Sequence, residues 1–122
     1  MKKIFYAKTH ADFLNQAFGT NYKAFMKTRY PYDEETWVWM VRLNGIEKFG
    51  FRNIIVSENE ILEEYIFSDK AAYTNALERK YRIVVNIIDT SKGREYHILG
   101  KYKFDFEKST NNKHFLRKIE EI

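Results

Sequence analysis

The stretch from Tyr81 to Phe106 carries the longest β-type pattern in the chain, and whatever else forms must pack around it. Its first half reads Y-R-I-V-V-N-I-I-D, a turn T-S-K-G follows, and the second half reads R-E-Y-H-I-L-G-K-Y-K-F-D-F. Tyr96, Ile98, Tyr102, Phe104 and Phe106 fall on one parity, with Gly100 among them. Glu95, His97, Lys101, Lys103 and Asp105 fall on the other, Leu99 being the apolar exception. A period of two is the mark of a strand with one buried face. A strand this long does not stay flat, and Gly100 stands where a bend or bulge would fall. The pattern predicts a coiled strand wrapping a small barrel.

The rest of the chain is read outward from that strand. Ile4 to Ala7 suits a short strand. Thr9 is a candidate N-cap, with Asp12 three residues on in a partial capping box. Phe13, Leu14, Ala17 and Phe18 make a helical stripe that Gly19 ends. Thr20 or Asn21 can cap a second helix bearing Tyr22, Phe25, Met26 and Arg29, stopped at Tyr30-Pro31. T-W-V-W-M-V-R-L-N alternates, with Trp37, Trp39, Val41 and Leu43 on one face. Both of its faces are apolar at the start, which predicts a central strand. Asn44-Gly45 is a hairpin signal leading to a strand over about Phe49 to Val56. Between Ser57 and Phe67 a helical stripe of Ile61, Leu62, Tyr65 and Ile66 competes with a strand, and in the helix Glu63 and Glu64 would be solvated. Asp69 to Glu78 reads as a helix or long loop, Ser109 to Lys113 as a turn, and His114 to Ile122 as a final strand or helix.

The expected fold is therefore α+β: an N-terminal helical pair over residues 1–32, packed on a strongly bent antiparallel sheet over 36–119 that closes into a small pseudo-barrel. At 122 residues, with 44% hydrophobic and 17% aromatic content, a single domain with a real core is expected. The absence of cysteine excludes disulfides and thiolate metal sites and suits a reducing compartment. The N-terminus M-K-K-I-F-Y-A-K lacks a signal-length apolar run, and no stretch approaches membrane-spanning length. A soluble, cytoplasmic protein with no membrane contact is the expectation.

Charge is unevenly spread. Residues 1–32 hold six basic and one acidic side chain, residues 33–78 four and ten, and residues 79–122 eleven and six. Basic ends flanking an acidic middle can steer a polyanion onto one side, although any solvated surface mixes its charges. Lys23 and Lys27 make the expected second helix basic; Lys101 and Lys103 do the same for the long strand. Trp37 and Trp39 could wall a cage for a base, every base having a π-face, or could simply be core. Arg52 and Asn53, in G-F-R-N, are planar hydrogen-bonding groups between apolar neighbours. Their partner is an internal carboxylate such as Glu63 or Glu64, or else a bound phosphate or base.

Catalytic signals are weak. His10, His97 and His114 are too scattered for a zinc or HNH-type centre. His97 beside Glu95 and Lys101 could titrate as an acid or base, or be an ordinary surface histidine. Glu58, Glu60, Glu63 and Glu64 could attract Mg²⁺ or a basic protein partner. Glu78-Arg79-Lys80 has an E-x-K spacing, but it precedes its strand and has only Asp69 upstream. No phosphate-binding glycine loop or nucleophile elbow is present.

G-F-R-N, E-E-Y-I, Y-R-I-V-V-N-I and Y-H-I-L-G-K-Y-K-F together resemble small β-barrel modules of the PUA-like group, which includes the EVE, ASCH and SRA/YDG-type domains. The likeness covers about Trp37 to Ile119 and is nearest to modules attached to bacterial restriction and defence nucleases. It implies a pseudo-barrel that binds nucleic acid, sometimes holding a modified base in an aromatic pocket, here formed by Trp37, Trp39, Arg52 and Asn53. The αα start departs from that pattern. The leading expectation is a non-catalytic nucleic-acid-binding module without cofactor or metal, in a bacterial defence or mobile-element setting. Two alternatives remain. One is a metal-independent ribonuclease similar to RelE-type toxins, using Arg94, Tyr96 and His97, although Tyr96 and His97 should point to opposite faces. The other is an inhibitor or interaction module that docks a protein through the acidic segment 58–64.

Overall fold

The computed structural model describes residues 2–66 and 79–122. Its strands are β1 (Ile4–Tyr6), β2 (Arg29–Pro31), β3 (Thr36–Val41), β4 (Phe51–Ser57), β5 (Glu60–Tyr65), β6 (Tyr81–Thr90), β7 (Gly93–Phe104) and β8 (Lys113–Glu120); α1 spans His10–Phe18. The eight strands form one sheet in the order β2-β3-β6-β7-β8-β5-β4, with β1 added to β7. The chain is mostly β, with one helix among the described residues. The sheet is mixed and not wholly antiparallel, because β3 runs parallel to β6. Its hydrogen-bond path ends at β2 and β4, so it is not closed into a barrel. Among the described residues, no helix is long and apolar enough to cross a membrane.

The first helix forms as its sequence dictates. Thr9 accepts a hydrogen bond from the Asp12 amide at 3.1 Å, and Gly19 leaves the helix in the left-handed conformation, φ 67°. Its apolar stripe lies on the sheet: Phe13 stacks on Tyr96 at 4.6 Å and meets Phe5 edge-on at 5.5 Å. The expected second helix does not form, so residues 1–32 are not a helical pair. Asn15 accepts the Tyr22 amide at 2.9 Å and donates to the Tyr22 carbonyl at 2.9 Å, taking both backbone groups away from a helical turn. Thr28 then accepts from Met40 at 2.8 Å, which draws the chain alongside β3. Tyr22 and Phe25 pack with Tyr30 as a small aromatic cluster.

β3 and β6 are buried on both faces, as the central-strand reading required. On one face Val38, Met40, Ile83, Val85 and Ile87 join the helix-side core; on the other Trp39, Val41, Leu43 and Val84 join a second core with Ile61 and Leu116. β7 serves both cores by a device that simple alternation conceals. Val84 faces Gly100 but Val85 faces Ile98, so Leu99 is an extra residue. That bulge flips the parity: Tyr96 and Ile98 point to the helix side, whereas Tyr102 and Phe104 point to the opposite core. Gly100 sits at the flip with φ 143°, and a Cβ there would lie 2.8 Å from the Glu120 carbonyl oxygen.

Two further expectations are corrected. Asn44-Gly45 does not join β3 to β4 as a hairpin, since β3 pairs with β2 and β6. Asn44 instead accepts the Ile46 amide in a local turn, and a single bridge links Asn44 to Ile54. The segment after Ser57 is a strand and not a helix: β4 and β8 flank β5, and its two adjacent glutamates have buried or neighbouring cations as partners. The expectation for Asp69 to Glu78 lies outside the described residues.

Candidate functional site

The two ends of the hydrogen-bond path, β2 and β4, face each other across a seam, and a cavity of about 340 Å³ opens there. Trp39 and Val41 of β3, Phe51 and Asn53 of β4, and Glu63 and Tyr65 of β5 line it. Alternation places these pairs two residues apart, so each strand turns two consecutive inward positions toward the cavity. Phe51 and Tyr65 meet edge-on at 4.8 Å. Arg29 of β2 hydrogen-bonds Tyr65, tying the two sides of the seam. Burial, with Glu63 nearby, pushes the Tyr65 hydroxyl far above its ordinary range, so it stays protonated. Around the rim stand exposed Ile46, Lys48 and Phe49, together with Arg42 and His10.

The inner wall of the cavity is built on a buried charge network. Arg82 is wholly buried and donates to both carboxylate oxygens of Glu63, at 2.8 and 3.0 Å. His114 Nδ1 lies 2.9 Å from Glu63 Oε1. The Arg82 guanidinium is sandwiched between Trp39 at 4.4 Å and Phe104 at 4.7 Å. Burial alone would raise the Glu63 carboxyl, but Arg82 and the His114 hydrogen bond outweigh it and hold it down to about 2. Glu63 is therefore a fixed anion in the cavity wall, an acceptor that cannot donate. Asn53 sits directly opposite it in the β4–β5 register, and its buried Oδ1 has no partner among the described residues.

The residues expected from sequence divide. Trp39 and Asn53 line the cavity. Trp37 shares Trp39's face but lies outside the cavity, half-buried under Arg79 at 4.0 Å and Arg29 at 5.5 Å. Arg52 points the other way from Asn53 and pairs with Glu64, the internal-carboxylate alternative. Lys23 and Lys27 are exposed on the irregular segment after α1. Lys101 faces a second cavity, lined also by Phe18, Thr36 and Glu120, and Lys103 is exposed. None of these four lysines lines the aromatic cavity.

The other candidate chemistries are not assembled. Tyr96 is buried in the helix-side core, where its hydroxyl is taken by His10 at 2.8 Å and Arg94 at 3.2 Å; His97 pairs with Glu95 at 2.9 Å on the opposite side of the strand. The acidic run is not a free docking face either. Glu63 and Glu64 are buried, and Glu60 is bonded by Lys108 at 2.9 Å. No group of three or more potential metal ligands exists among the described residues. Glu78 and Asp69 lie outside them. Sequence reading overlooked Arg82, whose signal was a lone cation inside the apolar run Y-R-I-V-V, and with it Tyr65, Phe51 and His114.

The profile of the SRA family, the SET and RING associated domain, matches residues 3–122. No curated protein matches the chain in sequence. Among solved structures the chain is similar in fold to one described as the 5-hydroxymethylcytosine-specific restriction enzyme AbaSI, with a TM-score of 0.71 and 24% identity. That similarity covers 96% of this chain and 38% of the other.

Proposed function

The chain belongs to the SRA family, whose domains bind DNA containing modified cytosines, and on that premise we propose that it is a non-catalytic module that draws one modified cytosine out of a duplex into the seam cavity. The observation that carries this reading is the cavity itself: about 340 Å³, walled by Trp39, Phe51 and Tyr65, with the Glu63 carboxylate and the unpartnered Asn53 oxygen facing it. Aromatic rings suit the faces of a base, and acceptors suit the exocyclic amino group of cytosine. A thymine or uracil would present a carbonyl to the same anion and be rejected, because a buried acceptor facing an acceptor is left unpaired. A cavity lying inside the fold is reached only by a nucleotide rotated out of its stack. Lys48, exposed at the rim, would meet a flanking phosphate, while Arg42 beside it is already paired with Asp89; Lys23, Lys27, Lys101 and Lys103 would contribute to the wider positive field. The fold likeness to a restriction enzyme supports a setting in which DNA carrying modified bases is the target.

The test is a binding titration on duplexes differing at one position, cytosine, 5-methylcytosine or 5-hydroxymethylcytosine, at two salt concentrations. The expected result is tighter binding to a modified duplex, by about tenfold or more, and weaker binding to the modified duplexes in Asn53→Ala while the fold is kept, since Asn53 meets the amino group that all three bases share. Equal affinity for all three duplexes, weakening alike with salt, would show a non-specific polyanion binder and overturn the reading.

A further inference from the structure

The helix α1 covers only part of the outer face of the sheet. Phe13 and Leu14 pack with Val38, Met40, Ile83, Val85 and Ile98, on β3, β6 and the first half of β7. Past the Leu99 bulge the same face continues over β7, β8, β5 and β4, and the strand register sets its side chains in rows. One row is apolar: Ile54, Leu62 and Phe115 stand side by side on β4, β5 and β8. None of the three belongs to either core. Ile54 is 39% exposed, and Leu62 and Phe115 are half-buried. The rows to either side are charged. In one, Glu64 takes both Arg52 and Lys113. In the other stand Glu60, Arg117 and Lys103, and the Glu60 carboxylate is taken by Lys108 at 2.9 Å. Lys103 and Arg117 are therefore exposed, directly opposite one another, and without an ion-pair partner among the described residues. Like charges facing each other across a strand pair destabilise a sheet. An apolar stripe rimmed by charge marks a surface that meets another molecule.

We propose that this half of the outer face docks an amphipathic helix of a partner protein, with apolar side chains on the row of Ile54, Leu62 and Phe115 and carboxylates beside Lys103 and Arg117. The spacings agree. Neighbouring strands lie about 4.8 Å apart and helical positions three or four residues apart about 5–6 Å, so one helix stripe matches successive members of the row. Adjacent rows lie two residues, about 7 Å, apart along the strands, within reach of the flanking side chains of a helix about 10 Å wide. Charge selects the occupant. The charged rows and Lys108 hold five cations, against three carboxylates once Asp105 beside Phe115 is counted. A second copy of the same face would set like charge against like, whereas an acid-bordered helix neutralises the excess. A bilayer fits less well, because insertion needs apolar groups that protrude. Here Leu62 and Phe115 are half-buried between charged rows, and the Lys108 ammonium lies 4.6 Å over the Phe115 ring.

The probes are two labelled peptides of about 18 residues, five helical turns, each with the same leucine stripe at i, i+3, i+4 and i+7 spacing. Glutamates border the stripe in one and lysines in the other. In a fluorescence-anisotropy titration of the full chain, the acidic peptide is expected to bind at least about tenfold more tightly than the basic one. Leu62→Gln should weaken the acidic peptide by about fivefold or more while the urea midpoint stays close to the parent's. Lys103→Glu combined with Arg117→Glu changes two exposed positions, so the fold is kept, and should turn the preference toward the basic peptide. No binding, or equal binding of the two peptides, would overturn the proposal, and so would a preference unmoved by the charge reversal. Binding to phosphatidylserine vesicles that is lost in Leu62→Gln would assign the face to a lipid surface instead. A concentration-dependent dimer lost in the same variant would assign it to a second copy. Displacement of the acidic peptide by saturating duplex DNA would make the face part of the nucleic-acid surface, and it too overturns the proposal.

Discussion

Replacing Arg82 with methionine removes the only cation that donates to both oxygens of Glu63 among the described residues, and the structure sets the size and sign of the consequence. Breaking a buried pair from one side leaves an uncompensated charge and costs about 3–5 kcal/mol. Against the roughly 5–15 kcal/mol that holds a domain together, that is a large fraction. In urea, at about 1–3 kcal/mol per molar, it lowers the midpoint by about 2 M. The fluorescence of Trp39, whose ring lies 4.4 Å from the guanidinium, reports the transition. The pH dependence is a second check. In the parent, Glu63 titrates near 2 in place of 4.5, which at about 1.36 kcal/mol per pH unit is worth about 3 kcal/mol of stability. A depressed carboxyl gives stability that is present above pH 4.5 and lost as pH falls from 4.5 toward 2. Without Arg82 the leading influence on the carboxyl is burial, which favours its neutral form. Protonation of Glu63 then relieves the variant, and its deficit relative to the parent shrinks on acidification. Arg82→Met combined with Glu63→Gln should recover more than half of the loss, because no bare anion remains and His114 keeps an acceptor. A single-variant loss under about 1 kcal/mol, strictly additive losses in the double variant, or a deficit that widens on acidification would refute the reasoning.

Two further outcomes can be checked by equilibrium denaturation. Gly100→Ala should cost about 3 kcal/mol or more, since φ 143° is nearly closed to other residues and the new methyl would lie 2.8 Å from the Glu120 carbonyl. His10 is held down to about 4 from 6.5 by burial first and then by Arg94 and Arg42, so the fold prefers the neutral ring and loses stability as pH falls from 6.5 toward 4; His10→Gln should flatten that part of the profile.

The elements legible in the sequence were those specified by neighbouring residues. The Thr9 cap, the α1 stripe and the doubly apolar β3 are local facts of spacing. What escaped was specified across distance. Gly100 and the apolar Leu99 marked where β7 bulges, but not that the extra residue there reverses the strand's inward parity. The Asn44-Gly45 turn is genuine as a local turn, but β3 pairs with β2 before it and with β6, reached only after two intervening strands. Asn15 undid the second helix by bonding to a residue seven positions on. At the site, Trp39 and Asn53 could be named because an aromatic strand and a buried amide stand out locally. Glu63 could be named only as one of two candidate internal carboxylates for Arg52 and Asn53, because the partners that fix it, Arg82 and His114, are 19 and 51 positions away.

The same network explains why a buried ion pair lies where an apolar core would serve stability as well. Hydrophobic residues of similar volume commonly replace such pairs with no loss, so stability alone gives no reason for Arg82 and Glu63 to be there. A carboxylate in a cavity wall would ordinarily take up a proton and become a donor as well as an acceptor. Arg82 and His114 prevent that, and the Trp39 and Phe104 rings hold the guanidinium from both sides, so one geometry and one protonation state persist. On the base-site reading, that fixed acceptor is what distinguishes an amino-bearing base from one bearing a carbonyl. The double variant then separates fold from recognition: a chain with Arg82→Met and Glu63→Gln that regains stability should still bind duplex DNA through its surface cations, yet discriminate less between modified cytosine and thymine, because an amide can turn its NH₂ toward a carbonyl. If stability and discrimination return together, Glu63 is a structural anion only, and recognition of the amino group rests on Asn53.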